Sequence, residues 1–498
     1  MTSVPNAGLE TPLEKGGYEI LPKAAVITEF LNAVAERYDC ASCFEAGRSH
    51  DTRPITAVLL SSDPAFLRTH HAASRKLTVF LNGSLHGDEA SGCEALLLLV
   101  RNIAQGCFSE LLKQINFLCV PLSNPDGRDM SRRGNGDGVN LNIDFLLQSQ
   151  PETRVLTGLL HEFRPEVLLD VHETPAFKKG LARAGFQSGF DAQLDVPNNP
   201  NIDPGLLRFA EGKLLPNLLR RINEKGLGAT RYYGEVNRLD KIATHGGLTL
   251  RNLRNYSALR GTLSVLLENR LDPPDRDYPT PGNIRDRTDR QYAAIGAILK
   301  EILLSGEDLI AEIEDARKRI ATVPADKGVV LASEFIPDDE HPTVDLPLRP
   351  LKGGAVSYRP FLYRPYIRPT LVVNQPAAFC IIAHHAVLAP LLRSHALKYG
   401  MVTAGSEVPA MVVESSDHKE ADCNKERELV WTPRSVHLKP GDLIVETRQP
   451  GGIILPLIFD PRSPHCVFRG APYSALLDRE ETPVVGIIED FPPNLATP

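Results

Sequence analysis

The chain has 498 residues, of which 42% are hydrophobic and 23% charged, with a formal net charge of −7. That composition is ordinary for a globular protein, and the length allows about two to four domains. A negative balance without a long basic run argues against nucleic acid as a partner. The longest aliphatic run, Ala95 to Val100, is far short of the ~20 residues that a membrane-spanning helix needs. Met1 to Tyr18 contains no apolar core of the signal-peptide kind, and the eight cysteines follow no regular pattern, so a reducing cytoplasm is expected.

In chain order, Ala24 to Arg37 has apolar residues at helical spacing, and Pro54 to Ser61 reads as a strand closed near Pro64. Cys40 and Cys43 have the spacing of a metal or redox pair, but no second pair accompanies them and a structural role is expected. Thr78 to Asn82 is a buried strand, Gly83 and Gly87 allow a turn, and Ala90 to about Ile103 is a leucine-rich helix. His86 and Glu89 fall on that turn, where open α/β sheets place their sites. An imidazole and a carboxylate three residues apart can converge on one cation, and a catalytic zinc takes three protein ligands and keeps a position for water. Cys93, Cys107 and Cys119 lie in apolar surroundings and are expected to be buried thiols.

Ile115 to Pro121 is the next strand, leading into Asn124-Pro-Asp-Gly127 and then a glycine-rich loop through Gly134, Gly136 and Gly138. No Lys-Ser/Thr follows these glycines, so the loop is read as presenting Arg133 and not as a phosphate cradle. Glu152 to Arg164 is amphipathic and helical. It delivers the chain to Pro165-Glu-Val-Leu-Leu-Asp170-Val-His172, an apolar strand ending in a histidine. Arg260 to Arg270 is another such strand, ending in Glu268. Three strand ends presenting His or Glu fit one sheet with one polar edge, and strands alternating with helices predict an α/β fold.

Taken together, these stretches resemble the zinc carboxypeptidase (metallocarboxypeptidase) family over roughly residues 20 to 305. Asn124 to Gly127, Arg133, and Gly138-Val-Asn140-Leu-Asn142-Ile143-Asp144 occur in that family's order. Pro151-Glu-Thr-Arg154 and Pro200-Asn-Ile-Asp-Pro204 are similar to a bacterial branch with an extra C-terminal β-domain. The resemblance implies a mixed α/β sheet with helices on both faces. It implies one zinc ion on His86, Glu89 and His172, Glu268 as catalytic base, Arg133 as the oxyanion arginine and Asn142 as a substrate contact. Two positions depart: Asn140 stands where the family has Asp, and Ile143 where it has the arginine that grips the substrate's terminal carboxylate. Isoleucine would shape an apolar wall but offers no donor to a carboxylate. A donor other than residue 143 is therefore expected, with Arg128, Arg132, Arg251 and Arg254 as candidates by sequence.

Between His172 and Glu268 a long insertion, helical over Leu206 to Glu224, is expected to carry substrate selection. Tyr232, Tyr233 and Tyr256 are candidates for the tyrosine that the family places over the substrate, and His245 and Arg254 could line the same pocket. Asp289 to Ile320 looks like one helix. After about Pro324 prolines recur and short β-rich runs follow, including Ser435 to Leu438, Leu443 to Glu446 and Gly452 to Phe459, interrupted by helical Ala386 to Lys398. The expected division is a catalytic domain over 1–323 and a β-rich domain over 324–498. The histidines of that second part show no metal spacing.

Three functions fit: a carboxypeptidase-like hydrolase acting at the C-terminal end of a peptide or peptide conjugate, an amidase of N-acyl amino acids or other small amides, and a non-catalytic binding protein. Ile143 raises the second reading. Joint presence of His86, Glu89, His172 and Glu268 speaks against the third.

Overall fold

The computed structural model describes residues 9–70, 76–272, 283–322, 328–415, 429–478, 484–487 and 496–497. Its largest sheet has eight strands. They are β1 (Ala41–Arg48), β2 (Pro54–Leu60), β3 (Leu77–Gly83), β4 (Ile115–Val120), β5 (Val167–Pro175), β6 (Ala192–Asp195), β7 (Ala229–Arg231) and β8 (Leu263–Leu271). Their spatial order is β1-β2-β4-β3-β5-β8-β6-β7. The central run β4-β3-β5-β8 is parallel, and β2 and β6 join it antiparallel on either side. The sheet is therefore mixed, as expected. Strands β3, β4, β5 and β8 are buried almost without alternation, as central parallel strands covered on both faces are.

Chain direction across the sheet reverses between β3 and β5: from β3 the chain moves outward to β4, then returns to β5 on the other side. The carboxyl ends at such a switch point open into a crevice. Helix Ala90–Ala104 starts directly after the β3 turn and packs against helix Ile284–Leu304. Gly87 is required in that turn, because a Cβ there would lie 2.1 Å from the Gly127 carbonyl carbon. Behind the crevice Arg287 and Glu173 form a buried ion pair at 2.7 Å. Removing one member of such a pair costs about 3–5 kcal/mol.

Several sequence expectations need correction. The helix expected over Asp289 to Ile320 is two helices, Ile284–Leu304 and Gly306–Ala321, separated at Ser305. Apolar spacing runs on across the break, which hides it. Gly452 to Phe459 is not a strand: Ile454–Phe459 is a fully buried helix. A short apolar run cannot be assigned by periodicity alone, and Pro456 sits in the first turn, where its missing N–H is not needed. The proline-rich stretch forms strands Val329–Ile336, Thr343–Pro350, Ser357–Arg364 and Tyr366–Val373, in sheets of two and four strands where much of each ladder is one-sided. Cys107 is exposed, whereas Cys93 and Cys119 are buried. Among the described residues no helix is long and apolar enough to cross a membrane.

Thr343–Pro350 pairs with Phe186–Ser188, and Ser357–Arg364 pairs with Ala243–Thr244, both from the insertion between β5 and β8. Leu346, Leu348 and Phe361 bury against Leu181, Val236 and Ala243 of that insertion. A further seven-stranded sheet follows, centred on Ala378–Ile381, Leu443–Glu446 and Val484–Ile487. Helix His385–Ser394 ends at His395, which is fully buried. The His395 Nε2 donates to the Leu146 carbonyl at 3.0 Å, and its Nδ1 lies 2.9 Å from the Tyr256 hydroxyl.

Burial holds the His395 imidazole down at about 3, with Arg260 adding to the effect. The unfolded chain therefore takes up this proton first, so His395 stabilises the fold fully above about 6.5 and progressively less as pH falls toward about 3. Urea denaturation at pH 7, 5 and 4 should show stability dropping through this window. His395→Gln, which can keep the bond to Leu146, should be less stable at pH 7 and show a shallower drop. An unchanged slope would remove His395 as its source.

Candidate metal and catalytic site

His86 follows the Gly83 end of β3, Glu89 caps the next helix, and His172 lies on β5. All three are buried, and one donor atom from each lies within 4.8 Å of the others. Glu89 Oε1 is 2.8 Å from His86 Nδ1, Glu89 Oε2 is 3.0 Å from His172 Nδ1, and the two Nδ1 atoms are 3.2 Å apart. Among the described residues this is the one cluster of three or more such groups placed to hold a metal ion.

The outer nitrogens define the chemistry of the donor set. His86 Nε2 lies 3.1 Å from Asn140 Oδ1, so that nitrogen carries the proton and Nδ1 offers its lone pair to the cluster. His172 Nε2 lies 3.0 Å from Asp170 Oδ2, an ion-pair contact without hydrogen-bond geometry. Partners of this kind set the tautomer and basicity of metal-ligating histidines. Two imidazole nitrogens and one carboxylate converging on a point are what zinc accepts. Burial alone would raise the Glu89 carboxyl, but the two imidazoles outweigh it and hold the group well below the usual carboxylate range. Glu89 also accepts from the Glu173 amide at 3.0 Å and from Arg133 at 2.8 Å.

Glu268 lies on β8 directly opposite His172 of β5, so both side chains project from the same face of the sheet. Its Oε2 is buried and has no hydrogen-bond partner among the described residues. Burial pushes its carboxyl up to about 7; His172 opposes the shift and Glu89 adds to it. An unpaired carboxylate beside a metal-binding cluster is free to accept a proton.

The remaining expected site residues are placed unevenly. Arg133 reaches Glu89 from the loop with about half its side chain (52%) exposed, so part of the guanidinium faces the crevice. Asn142 does not offer its oxygen freely, because Oδ1 accepts the Leu253 amide at 3.2 Å. Ile143 is 44% exposed, and its carbonyl accepts from Arg251 Nε at 2.6 Å. It lines a cavity of about 590 Å³ together with Asp144, Arg154 and Arg251, a ring that does not include the three-donor cluster. Arg254 is buried and ion-paired with Asp195, and Arg128 is buried and ion-paired with Glu94. Tyr256 is inaccessible, its hydroxyl held by His395 and by Gln148 at 3.1 Å, which places it behind the sheet's edge and not over a substrate. Tyr233 packs edge-on to Tyr363, and His245 lies 2.5 Å from the Tyr363 hydroxyl.

Tyr232 is the tyrosine near the site. Burial raises its phenol, and Glu268, Glu235 and Glu89 add to that while Arg133 opposes it. Sequence reasoning did not separate it from Tyr233, since both lie in one short loop-flanked run. Asp170 and Asn140 also went unassigned as partners of the histidines. Asp170, two residues before His172, carried a readable signal, because alternate strand residues share a face.

An open-edged mixed α/β sheet thus carries a buried His-Glu-His set able to hold one zinc ion, with a carboxylate beside it able to accept a proton. Residues 27–172 match the family described as zinc carboxypeptidase. Carboxypeptidase 2 of Trichophyton rubrum is 27% identical over 246 residues, which cover 48% of this chain and 45% of that protein. Carboxypeptidase SOL1 of Arabidopsis thaliana is 28% identical over 136 residues, 24% of this chain and 26% of its own length. The matched region thus spans less than half the length of these curated relatives. A metallo-carboxypeptidase from Burkholderia cenocepacia superposes with a TM-score of 0.43 and 20% identity, over 58% of this chain and 71% of that one.

The donor set predicts about one zinc per chain by elemental analysis, lost in His86→Ala and in His172→Ala. Asn140→Ala should weaken zinc retention against a competing chelator by roughly 10-fold, and Asn140→Asp should hold or strengthen it. Wild-type retention in Asn140→Ala would show that the contact with His86 is incidental.

Proposed function

We propose that this chain is a zinc-dependent amide hydrolase of the carboxypeptidase kind, acting on a peptide or peptide conjugate. The observation that carries the reading is Glu268: its Oε2 is buried with no hydrogen-bond partner among the described residues, opposite His172 on the adjacent strand and beside the three-donor cluster. His86, Glu89 and His172 would hold the zinc, which when bound supplies Lewis-acid chemistry.

The other roles fall to side chains of the chain. Glu268 accepts the proton of the attacking water and returns it to the departing amine, and a carboxyl poised near neutrality suits both transfers. Arg133 already donates to Glu89 and has further nitrogens free in the crevice, so it can stabilise negative charge as it develops on the carbonyl oxygen. Tyr232 feels the charges of Glu268 and Arg133, which makes it the candidate for a phenolic hydroxyl at the site. Asn140 keeps the His86 imidazole in the donor tautomer, and Asp170 lies beside that of His172.

Ile143 favours a second reading. With no guanidinium at that position, an amidase acting on small N-acyl amino acids or related amides would recognise its carboxylate elsewhere in the cleft. Both readings share the same chemistry and differ only in what lies on either side of the scissile bond. In either, the region after Val329 closes one side of the insertion and adds a β-rich second part.

Glu268→Gln should keep zinc and the melting temperature within experimental error while lowering kcat by about 10²–10⁴-fold. Turnover near that of the unaltered protein, measured on a short peptide panel by mass spectrometry, would exclude Glu268 as the base.

A further inference from the structure

With Ile143 apolar, Arg128 and Arg254 ion-paired, Arg251 bound to a carbonyl and Arg132 exposed on its loop, a carboxylate in the cleft has room for a further donor. The sheet points to where one stands. His172, Glu268, Gln193 and Thr230 are register partners across β5, β8, β6 and β7. Partners directly opposite project from the same face, so the four side chains form one row that starts in the metal cluster. Neighbouring strands are about 4.8 Å apart, which puts Gln193 about 5 Å and Thr230 about 10 Å beyond Glu268 along the backbone.

At the far end of this row Gln193 and Thr230 line a cavity with Lys178, Tyr233, Pro347 and Leu348. No Asp or Glu lines it. Lys178 is half-buried, and among the described residues its ammonium makes no hydrogen bond or ion pair. A half-buried ammonium without a protein partner keeps its donors available to an anionic ligand. Burial lowers the ammonium from the usual lysine range, while Glu235 and Glu268 pull it back up, which places Lys178 within electrostatic reach of the catalytic carboxylate. The cavity holds about 30 Å³, room for roughly two water-sized groups and therefore for the two oxygens of one carboxylate.

We propose that Lys178 is the anion receptor of the substrate cleft, its ammonium taking one carboxylate of the substrate in the cavity it shares with Gln193 and Thr230. The inference rests on the hydrolase reading and deepens it: the substrate is an amide that carries a carboxylate about one residue's length from the scissile carbonyl. That carboxylate is either a chain terminus or an acidic side chain. Pro347 and Leu348 supply the apolar wall, so the part of the chain after Val329 completes the subsite.

The test compares zinc-loaded wild type, Lys178→Met and Lys178→Arg on three matched peptides, ending in alanine free acid, alanine amide and glutamate amide. Wild type should favour a carboxylate-bearing peptide over alanine amide by about 10- to 100-fold in kcat/KM, mostly through KM. Preference for the free acid identifies a terminus, and preference for glutamate amide a side chain. Lys178→Met should lose that preference, cleaving the three peptides with similar kcat/KM, and Lys178→Arg should keep part of it. A wild type indifferent to the carboxylate, or a Lys178→Met that still discriminates, overturns the proposal and leaves the hydrolase reading intact. If wild type cleaves none of the three, the hydrolase reading fails, and Lys178 is then judged by calorimetric titration of succinate into the folded full chain. Succinate binding weakened about 10-fold or more in Lys178→Met supports the subsite. Equal affinity, or no binding to wild type, overturns it. Thermal melts of both variants establish that each is folded.

Discussion

The structure of the site depends on one carboxylate. Glu89 is buried and its two oxygens meet both candidate zinc-binding imidazoles, the Glu173 amide and the Arg133 guanidinium. These come from three parts of the chain: the turn after β3, strand β5, and the glycine-rich loop. A buried carboxylate is tolerated only when its lone pairs are filled, so the geometry of all these segments has to satisfy Glu89 at once. The same pressure explains why the turn after β3 is so tight that Gly87 must lack a side chain against Gly127.

A second layer of charge keeps that geometry in place. Glu173, next to His172, accepts the Ser91 amide at 2.9 Å and pairs with Arg287 of helix Ile284–Leu304. This ties strand β5, the helix that follows Glu89, and a helix more than a hundred residues further on. Asp126 of the Asn-Pro-Asp-Gly turn does the same for the loop, taking Ser49 at 2.7 Å and Arg53 at 2.7 Å. These acidic groups do no chemistry themselves. They limit how far the groups that do can drift, and small displacements are costly in catalysis.

The region after Val329 is joined to the rest by more than a linker. Its strands extend the insertion between β5 and β8, and its His395 reaches into the polar cluster around Tyr256 and Gln148. Phe379, Leu388 and Phe459 of that region share one apolar core with the sheet that carries the site. Changes there can therefore reach the cleft through packing, and the wall beside Lys178 is the most direct route.

Much of the site was legible in the sequence because its chemistry is local. His86 and Glu89 sit three residues apart on one turn, and His172 and Glu268 each end an apolar strand bounded by breakers. Such patterns follow from strand and helix periodicity, and the spacing of breakers locates the turns. The α/β alternation was legible for the same reason, whereas the mixed sheet was implied only by the family resemblance. What could not be read were relations between distant segments. Asn140 meets His86 Nε2 from 54 residues away, and Tyr256 looked like a substrate contact until His395 closed over it. The subsite around Lys178 exists only because β6 and β7 pair beside β8 and a proline-rich stretch folds back as strands. A sequence sets which residues can donate, accept or bind a cation. Which of them remain unpaired is decided by tertiary packing, because pairing depends on what every other segment brings within about 3 Å.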